Sequence, residues 1–238
     1  MAKKAFINYA HRGASSYAPE NTMSAFRLGL EMGANGIETD VQMTKDGVLV
    51  LFHDDTIKRV TGQEGKIRDY TYEELLNFDV CVYGLQDKIV KFEDFLQAFS
   101  GLDIQFAIEF KQDFTEAQTI DLLERYNMRE KTILTSFKLE CLMRAKLYAP
   151  QYQQGYLTDD VNPMALKVLK TIGVEQVCPK SKLITKELVS DLHAQGFSVR
   201  PWGVKSEERM KQAYDAGVDG MTVNFPDKLV AYMAETGK

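Results

Sequence analysis

Glu38 and Asp40 lie two residues apart in the stretch GIETDVQMT, and Glu109 and Lys111 lie two apart in IQFAIEFKQ. Both stretches read as strands, in which successive side chains point to opposite faces. Ile37, Thr39, Val41 and Met43 then form one face of the first, with Glu38 and Asp40 on the other. In the second, Phe106, Ile108 and Phe110 share a face, leaving Ala107, Glu109 and Lys111 opposite. Carboxylates buried side by side repel and lose solvation, a serious cost unless positive charge lies between them. A structural ion pair with Arg or Lys would meet that need. A third carboxylate pointing inward widens the chemistry. Three oxygen donors without a Cys or His cluster make a hard site, suited to Mg²⁺ or Ca²⁺ rather than zinc. Lys111 reads either as a counter-ion for Glu109 or as a partner for the anion that such a metal binds.

His11 and His53 complete the set, in a chain with three histidines. Each ends a strand candidate. An imidazole near its reference pKa of about 6.5 can act as acid or base at neutral pH. Arg12 adds the planar fork that suits a phosphate. The constellation reads as metal-assisted phosphoryl chemistry with paired imidazoles. His193 stands apart, in the last turn of TKELVSDLHAQG, where a cation suits the helix dipole.

The elements that must hold these residues alternate along the chain. Strands are predicted at Phe6–Ala10, Gly36–Met43, Val48–Phe52, Ile104–Phe110, Thr132–Ser136, Gln154–Leu157, Gln176–Cys178, Ser198–Gly203 and Gly220–Val223. Helices are predicted to begin near Thr22, Phe92, Thr115, Lys138, Pro163, Thr185, Ser206 and Asp227. Asn21, Thr185 and Ser206 are candidate caps, and Gly173, Gly196 and Gly217 follow helix ends. Strand–helix units repeated in this way, plus one extra strand, fit a closed (β/α)₈ TIM barrel better than an open doubly wound sheet. No GxGxxG follows the first strand. The C-terminal strand ends, where His11 and His53 fall, are where barrel enzymes assemble their sites.

The extra strand follows from Asp46-Gly47, read as a two-residue hairpin turn after strand 2. Paired positions then sum to 93, and His53 lies opposite Asp40; a one-residue slip would undo this. Residues 54–90 are predicted as a small insertion over the C-terminal mouth, with a short helix at Tyr72–Phe78. No linker or internal repeat divides the chain, so a single domain over 1–238 is expected.

Of 238 residues, 45% are hydrophobic and 26% charged, enough for a substantial core, and the net charge is −5. That charge, without a basic run, argues against nucleic acid or stable membrane association. MAKKAFINYAHRG lacks the apolar region of a secretory signal, and no apolar run near a terminus approaches the roughly 20 residues of a membrane span. Cys81, Cys141 and Cys178 are odd in number, widely spaced and in no CxxC pair. Buried free thiols in a reducing compartment, hence a cytoplasmic protein, are expected. The sequence leaves a homo-oligomer open, because one chain carries no mark of a symmetric interface.

With HRGASSYAPENTMSAF, GIETDVQMTKDGVLVLFHDDTIKRVTG and FAIEFK, and more weakly PWGV and AGVDGMTVNFPD, the chain resembles the glycerophosphodiester phosphodiesterase family from first strand to last helix. The resemblance implies a (β/α)₈ barrel that hydrolyses glycerophosphodiesters, small molecules, to glycerol 3-phosphate and an alcohol with one divalent metal, Mg²⁺ or Ca²⁺. Glu38, Asp40 and Glu109 match the metal ligands, and His11 and His53 the acid/base pair. Arg12 and Lys111 match positions near the phosphate, and Trp202 an aromatic near the glycerol pocket, though a space-filling rim aromatic would look the same. Two departures stand out. WGVK stands where relatives commonly have Thr after the Trp and Asn at the end, and Val223-Asn224 where they often have Thr-Asp. Both are expected at the far rim of the pocket, touching substrate choice more than chemistry. Attack by the glycerol 2-hydroxyl or by water, and which histidine starts as base, stay open. A lysophospholipase D on the same scaffold would want an apolar rim, and the insertion has aromatics but no apolar stripe. A non-catalytic, phosphodiester-binding barrel would be expected to have lost one of the five central residues, and all five are present.

Overall fold

The computed structural model describes residues 5–237; Lys3 and Lys4 of the N-terminal segment read above lie outside them. In chain order the elements are β1 Ile7–His11, α1 Met23–Glu31, β2 Gly36–Met43, β3 Leu49–Leu51, α2 Lys58–Thr61, α3 Tyr72–Leu75, β4 Asp79–Val82, β5 Leu85–Lys88 and α4 Phe92–Phe99. They continue with β6 Gln105–Phe110, α5 Glu116–Arg125, β7 Thr132–Ser136, α6 Leu139–Tyr148, β8 Gln153–Thr158, α7 Pro163–Ile172 and β9 Gln176–Pro179. The chain closes with α8 Lys186–Ala194, β10 Ser198–Val199, α9 Glu207–Asp215, β11 Gly220–Val223 and α10 Pro226–Thr236.

Eight strands run parallel in the order β10-β9-β8-β7-β6-β2-β1-β11. The ends meet where Asp219 N–H donates to Val199 O at 2.9 Å and where Val204 bridges Val223. This is the (β/α)₈ barrel that the alternating pattern predicts. Its last seam is thin, because Pro201 has no N–H to give the ladder, and β10 stops at Val199 rather than Gly203.

The outward strand faces bury against the helices. Ile37, Val41, Phe106, Ile108 and Phe110 pack with Phe26 of α1 and with Phe92, Phe95 and Phe99 of α4. Phe95 stands edge-on to Phe26 at 4.8 Å and to Phe106 at 5.9 Å. Burial of each such ring contributes about 1.5–3 kcal/mol, which commits these faces outward and turns the alternate residues into the barrel. Register does the rest. His11 pairs with Glu38 and Asp40 with Glu109 on neighbouring strands, so the acids converge at one end. Below them lies Arg200, fully buried, with Nε donating to Gln176 Oε1 at 2.9 Å, Nη1 donating to Thr222 Oγ1, and its guanidinium over the Tyr9 ring.

The hairpin departs from expectation by one residue. β2 and β3 pair Val41 with Leu51, Gln42 with Val50 and Met43 with Leu49, so positions sum to 92. The loop holds three residues, Lys45–Gly47, with Gly47 at φ 80° and its N–H donating to Thr44 O at 3.1 Å. Phe52 therefore sits opposite Asp40, its N–H donating to Asp40 O at 2.9 Å, and His53 lies one residue beyond.

The insertion has its own small core of Phe52, Ile57, Val60, Ile67, Leu75 and Val80. α3 ends at Leu75, three residues short of the predicted Phe78. The β4–β5 hairpin was not predicted: its turn is Tyr83-Gly84, and a tyrosine at φ 54° gives no turn signal. Cys141 and Cys178 are buried free thiols, but Cys81 on β4 is exposed, against expectation.

Candidate active site

After β1 the chain turns sharply through two left-handed residues, Arg12 at φ 54° and Gly13 at φ 83°. A Cβ on Gly13 would stand 2.3 Å from the carbonyl carbon of Ala25, so only glycine lets the turn press against α1. The turn aims Arg12 across the acids. Its N–H donates to Glu38 O at 2.9 Å, Nε lies 3.1 Å from Asp40 Oδ2, and Nη1 donates to Glu20 Oε1 at 2.8 Å. A non-glycine residue in this conformation is strained and persists because such contacts over-determine it.

Carboxylate oxygens of Glu38, Asp40 and Glu109 lie within 4.8 Å of one another, all three residues buried. Lys111 Nζ is 2.6 Å from Glu109 Oε1 and 3.4 Å from Asp40 Oδ1. Burial opposes the Asp40 charge, but Lys111 and Arg12 overcome it and hold this carboxyl far below the usual range. Burial and then repulsion from Asp40 and Glu109 push Glu38 up to about 8. Burial also raises Glu109, against the pull of Lys111. Asp40 Oδ1 is buried and accepts no hydrogen bond. A buried oxygen with an ion pair but no hydrogen bond, among mutually repelling oxygen donors, is what a hard divalent cation would relieve, so this set fits one. The other acid cluster, Glu20 with His53 and Asp54, is already offset by Arg12 and Arg59.

The histidines are held alike through Nδ1. His53 Nδ1 donates to Asp54 Oδ1 at 2.7 Å, and Asp54 in turn accepts from Arg59 Nε at 2.6 Å. His11 Nδ1 donates to Asn224 Oδ1 in a short hydrogen bond, while Nε2 lies 3.8 Å from Glu38 Oε2. In each ring the tie through Nδ1 leaves Nε2 free to face the acids and a ligand. Burial and the adjacent Arg12 lower His11 to about 3, so it stands neutral in this site. Asn224 thus touches the candidate acid/base pair, and the expectation that its departure concerns only the far rim is corrected. Asn224→Ala is expected to release the His11 tautomer and lower kcat about tenfold or more. Long-range ¹H–¹⁵N spectra of the imidazoles would show the Nδ1–H form of His11 lost.

Asn21 departs further from expectation. Thr22, whose side chain accepts from Ala25 N–H, caps α1 instead. Asn21, left-handed at φ 56°, turns inward: Nδ2 donates to Asp40 Oδ2 at 2.9 Å and Oδ1 accepts from Thr39 Oγ1 at 2.7 Å. Asn21→Leu should weaken divalent-metal binding by roughly 10–100-fold, read by calorimetric titration, because Asp40 loses the donor that orients it. Glu20, Asp54 and Arg59 were also missed, although Glu20 and Asp54 adjoin residues singled out by sequence.

Trp202 lies on the rim. Its indole N–H donates to Thr158 O at 3.1 Å, leaving only ring surface to face a ligand. Phe137 stands edge-on to it at 4.8 Å, and Lys111 Nζ lies 5.7 Å over Phe137, which links this aromatic wall to the acids. His193 is away from the site, with Nε2 2.8 Å from Asp219 Oδ2 at the end of α8.

A closed parallel barrel with acids, imidazoles and two cations gathered at the C-terminal strand ends has the form of a barrel enzyme for an anionic substrate. The chain belongs to the glycerophosphoryl diester phosphodiesterase family, whose model matches residues 11–228. It is similar to the glycerophosphodiester phosphodiesterase of Bacillus altitudinis, 35% identical over 95% of this chain and 98% of that one. The glycerophosphodiester phosphodiesterase of Caldanaerobacter subterraneus subsp. tengcongensis is 34% identical, with 96% and 98% covered. The crystal structure of the glycerophosphodiester phosphodiesterase from Thermotoga maritima superposes with a TM-score of 0.78 at 27% identity, covering 95% of this chain and 98% of that one. The protein is an enzyme of this class, a phosphoric diester hydrolase.

Proposed function

We propose that the chain hydrolyses glycerophosphodiesters to glycerol 3-phosphate and an alcohol, with His11 and His53 as the acid/base pair. Glu38, Asp40 and Glu109 would hold one divalent cation, Mg²⁺ or Ca²⁺, which when bound supplies Lewis-acid polarisation of a phosphoryl oxygen. The observation that carries this reading is the convergence of those acids with two imidazoles whose Nδ1 atoms are both tied back. Each Nε2 is then free for one proton. One ring starts neutral and takes a proton at Nε2 from the attacking oxygen; the other starts as the imidazolium and gives its Nε2 proton to the departing alcohol. Arg12 and Lys111, held at the acids, stabilise charge that develops on the phosphoryl oxygens. Trp202 and Phe137 form an apolar wall for the glycerol carbons.

The whole of 1–238 acts as one unit in this reading, with the insertion over the mouth and no nucleic-acid partner. A cytoplasmic location is part of it, supported by free thiols. Among the described residues no helix is long and apolar enough to cross a membrane.

Glycerol 3-phosphate release from glycerophosphocholine and glycerophosphoethanolamine tests the reading, with Mg²⁺, Ca²⁺ or EDTA and lysophosphatidylcholine alongside. Metal-dependent release that disappears in folded Glu109→Gln is expected. Release in EDTA, or turnover of the lysolipid alone, would contradict it.

A further inference from the structure

Beside the acids the barrel mouth continues into a cleft of about 380 Å³ between the insertion and the loop after β6. It begins one strand step beyond the candidate metal ligands. Gln42 shares a β2 face with Glu38 and Asp40, and Lys111 follows Glu109. Lys66, Arg68, Lys111 and Lys138 line the cleft against Asp55 and Asp113, a local positive excess on a chain of net charge −5. Lys111 is engaged by Glu109, and Lys138 by Asp113 at 2.6 Å. Arg144 also binds Asp113, at 2.9 Å, so that acid is offset from two sides.

Lys66 and Arg68 differ from these. Neither forms an ion pair among the described residues. Between them Ile67 is fully buried in the insertion core and opens a 3₁₀ turn, Ile67–Asp69. That turn is tied down: Lys66 N–H donates to Asp69 Oδ2 at 2.7 Å, and Lys45 N–H to Tyr70 O at 2.8 Å. Two unpaired cations therefore flank a buried anchor on a fixed turn, and both line a cleft that leads to the reacting centre. Such an arrangement attracts a second anion.

We propose that this cleft selects glycerophosphodiesters whose alcohol carries a further anionic group, a phosphorylated polyol, over those with neutral or cationic alcohols. The inference rests on the hydrolytic reading above. The scissile phosphoryl group lies at Arg12 and Lys111, and the alcohol extends along the cleft until its own anion meets Lys66 and Arg68. A choline or ethanolamine would bring a cation toward like charges.

The test is kcat/KM for a glycerophosphoinositol monophosphate against glycerophosphoinositol and glycerophosphocholine, in wild type and in Lys66→Ala/Arg68→Ala. Wild type should favour the phosphorylated alcohol by about tenfold or more, and the preference should shrink as salt rises. The double variant should lose the preference while turning over glycerophosphoinositol as wild type does. Equal kcat/KM in wild type, or a preference that survives the double substitution, overturns the selection alone. If wild type turns over none of the three, the hydrolytic reading itself falls and takes this one with it.

Discussion

His53→Ala is expected to lower kcat by about a hundred- to ten-thousandfold, the usual worth of general acid–base catalysis. The protein should still fold. His53 is partly exposed, lies beyond the hairpin ladder, and its side chain hydrogen-bonds among the described residues to Asp54. Surface substitutions of this kind usually shift stability by about 0.5 kcal/mol or less. Adding His11→Ala to the same chain should cost little more, because two groups that move protons in one reaction act as a unit. Steady-state kinetics with a thermal melt of each variant separates the cases. A His53→Ala enzyme within about threefold of wild type would remove this residue from the chemistry.

Glu38→Gln should abolish activity and yet stabilise the metal-free protein. Burial and repulsion from Asp40 and Glu109 raise Glu38 from 4.5 to about 8. A carboxyl with a folded pKa above its unfolded value holds its proton more tightly when folded. The metal-free protein therefore loses stability as pH rises from about 4.5 to about 8, and glutamine has no such loss. In EDTA at pH 8 the variant should melt several degrees above wild type, and near pH 4.5 the two should coincide. Added Mg²⁺ or Ca²⁺ should close much of that gap at pH 8 by raising the wild type. At a hundredfold excess over Kd, a ligand adds about 2.7 kcal/mol, roughly 5–10 °C for a domain of this size. The variant, short of one oxygen donor, should gain little. A wild type that melts above Glu38→Gln in EDTA at pH 8 would mean that the acids do not strain one another.

Most of the acid site was legible because strand alternation is a local property. Glu38, Asp40, Glu109 and Lys111 needed only a period of two to share the barrel interior, and apolar neighbours such as Ile37 and Phe110 secured the opposite face. What was lost depended on contacts distant in sequence. Asn21 before a helix obeys a capping rule, and nothing local tells that Thr22 takes the cap and frees Asn21 to reach Asp40. Asn224 meets His11 across most of the chain length. The hairpin register failed by one residue because Asp46-Gly47 also fits a three-residue loop with glycine in the left-handed position. Arg200 follows a regular strand pattern, with no local sign that it would lie buried beneath the acids. Pro201 is the contrary case: its effect on β10 could have been read directly from the residue.

The most direct test is to strip the protein with a chelator, add glycerophosphoethanolamine, and follow the ³¹P spectrum before and after Mg²⁺ or Ca²⁺ is restored. The diester resonance should persist in the stripped sample and give way to glycerol 3-phosphate once the cation returns. Conversion in the chelated sample, or none with either cation, would contradict a hydrolytic centre built on Glu38, Asp40 and Glu109.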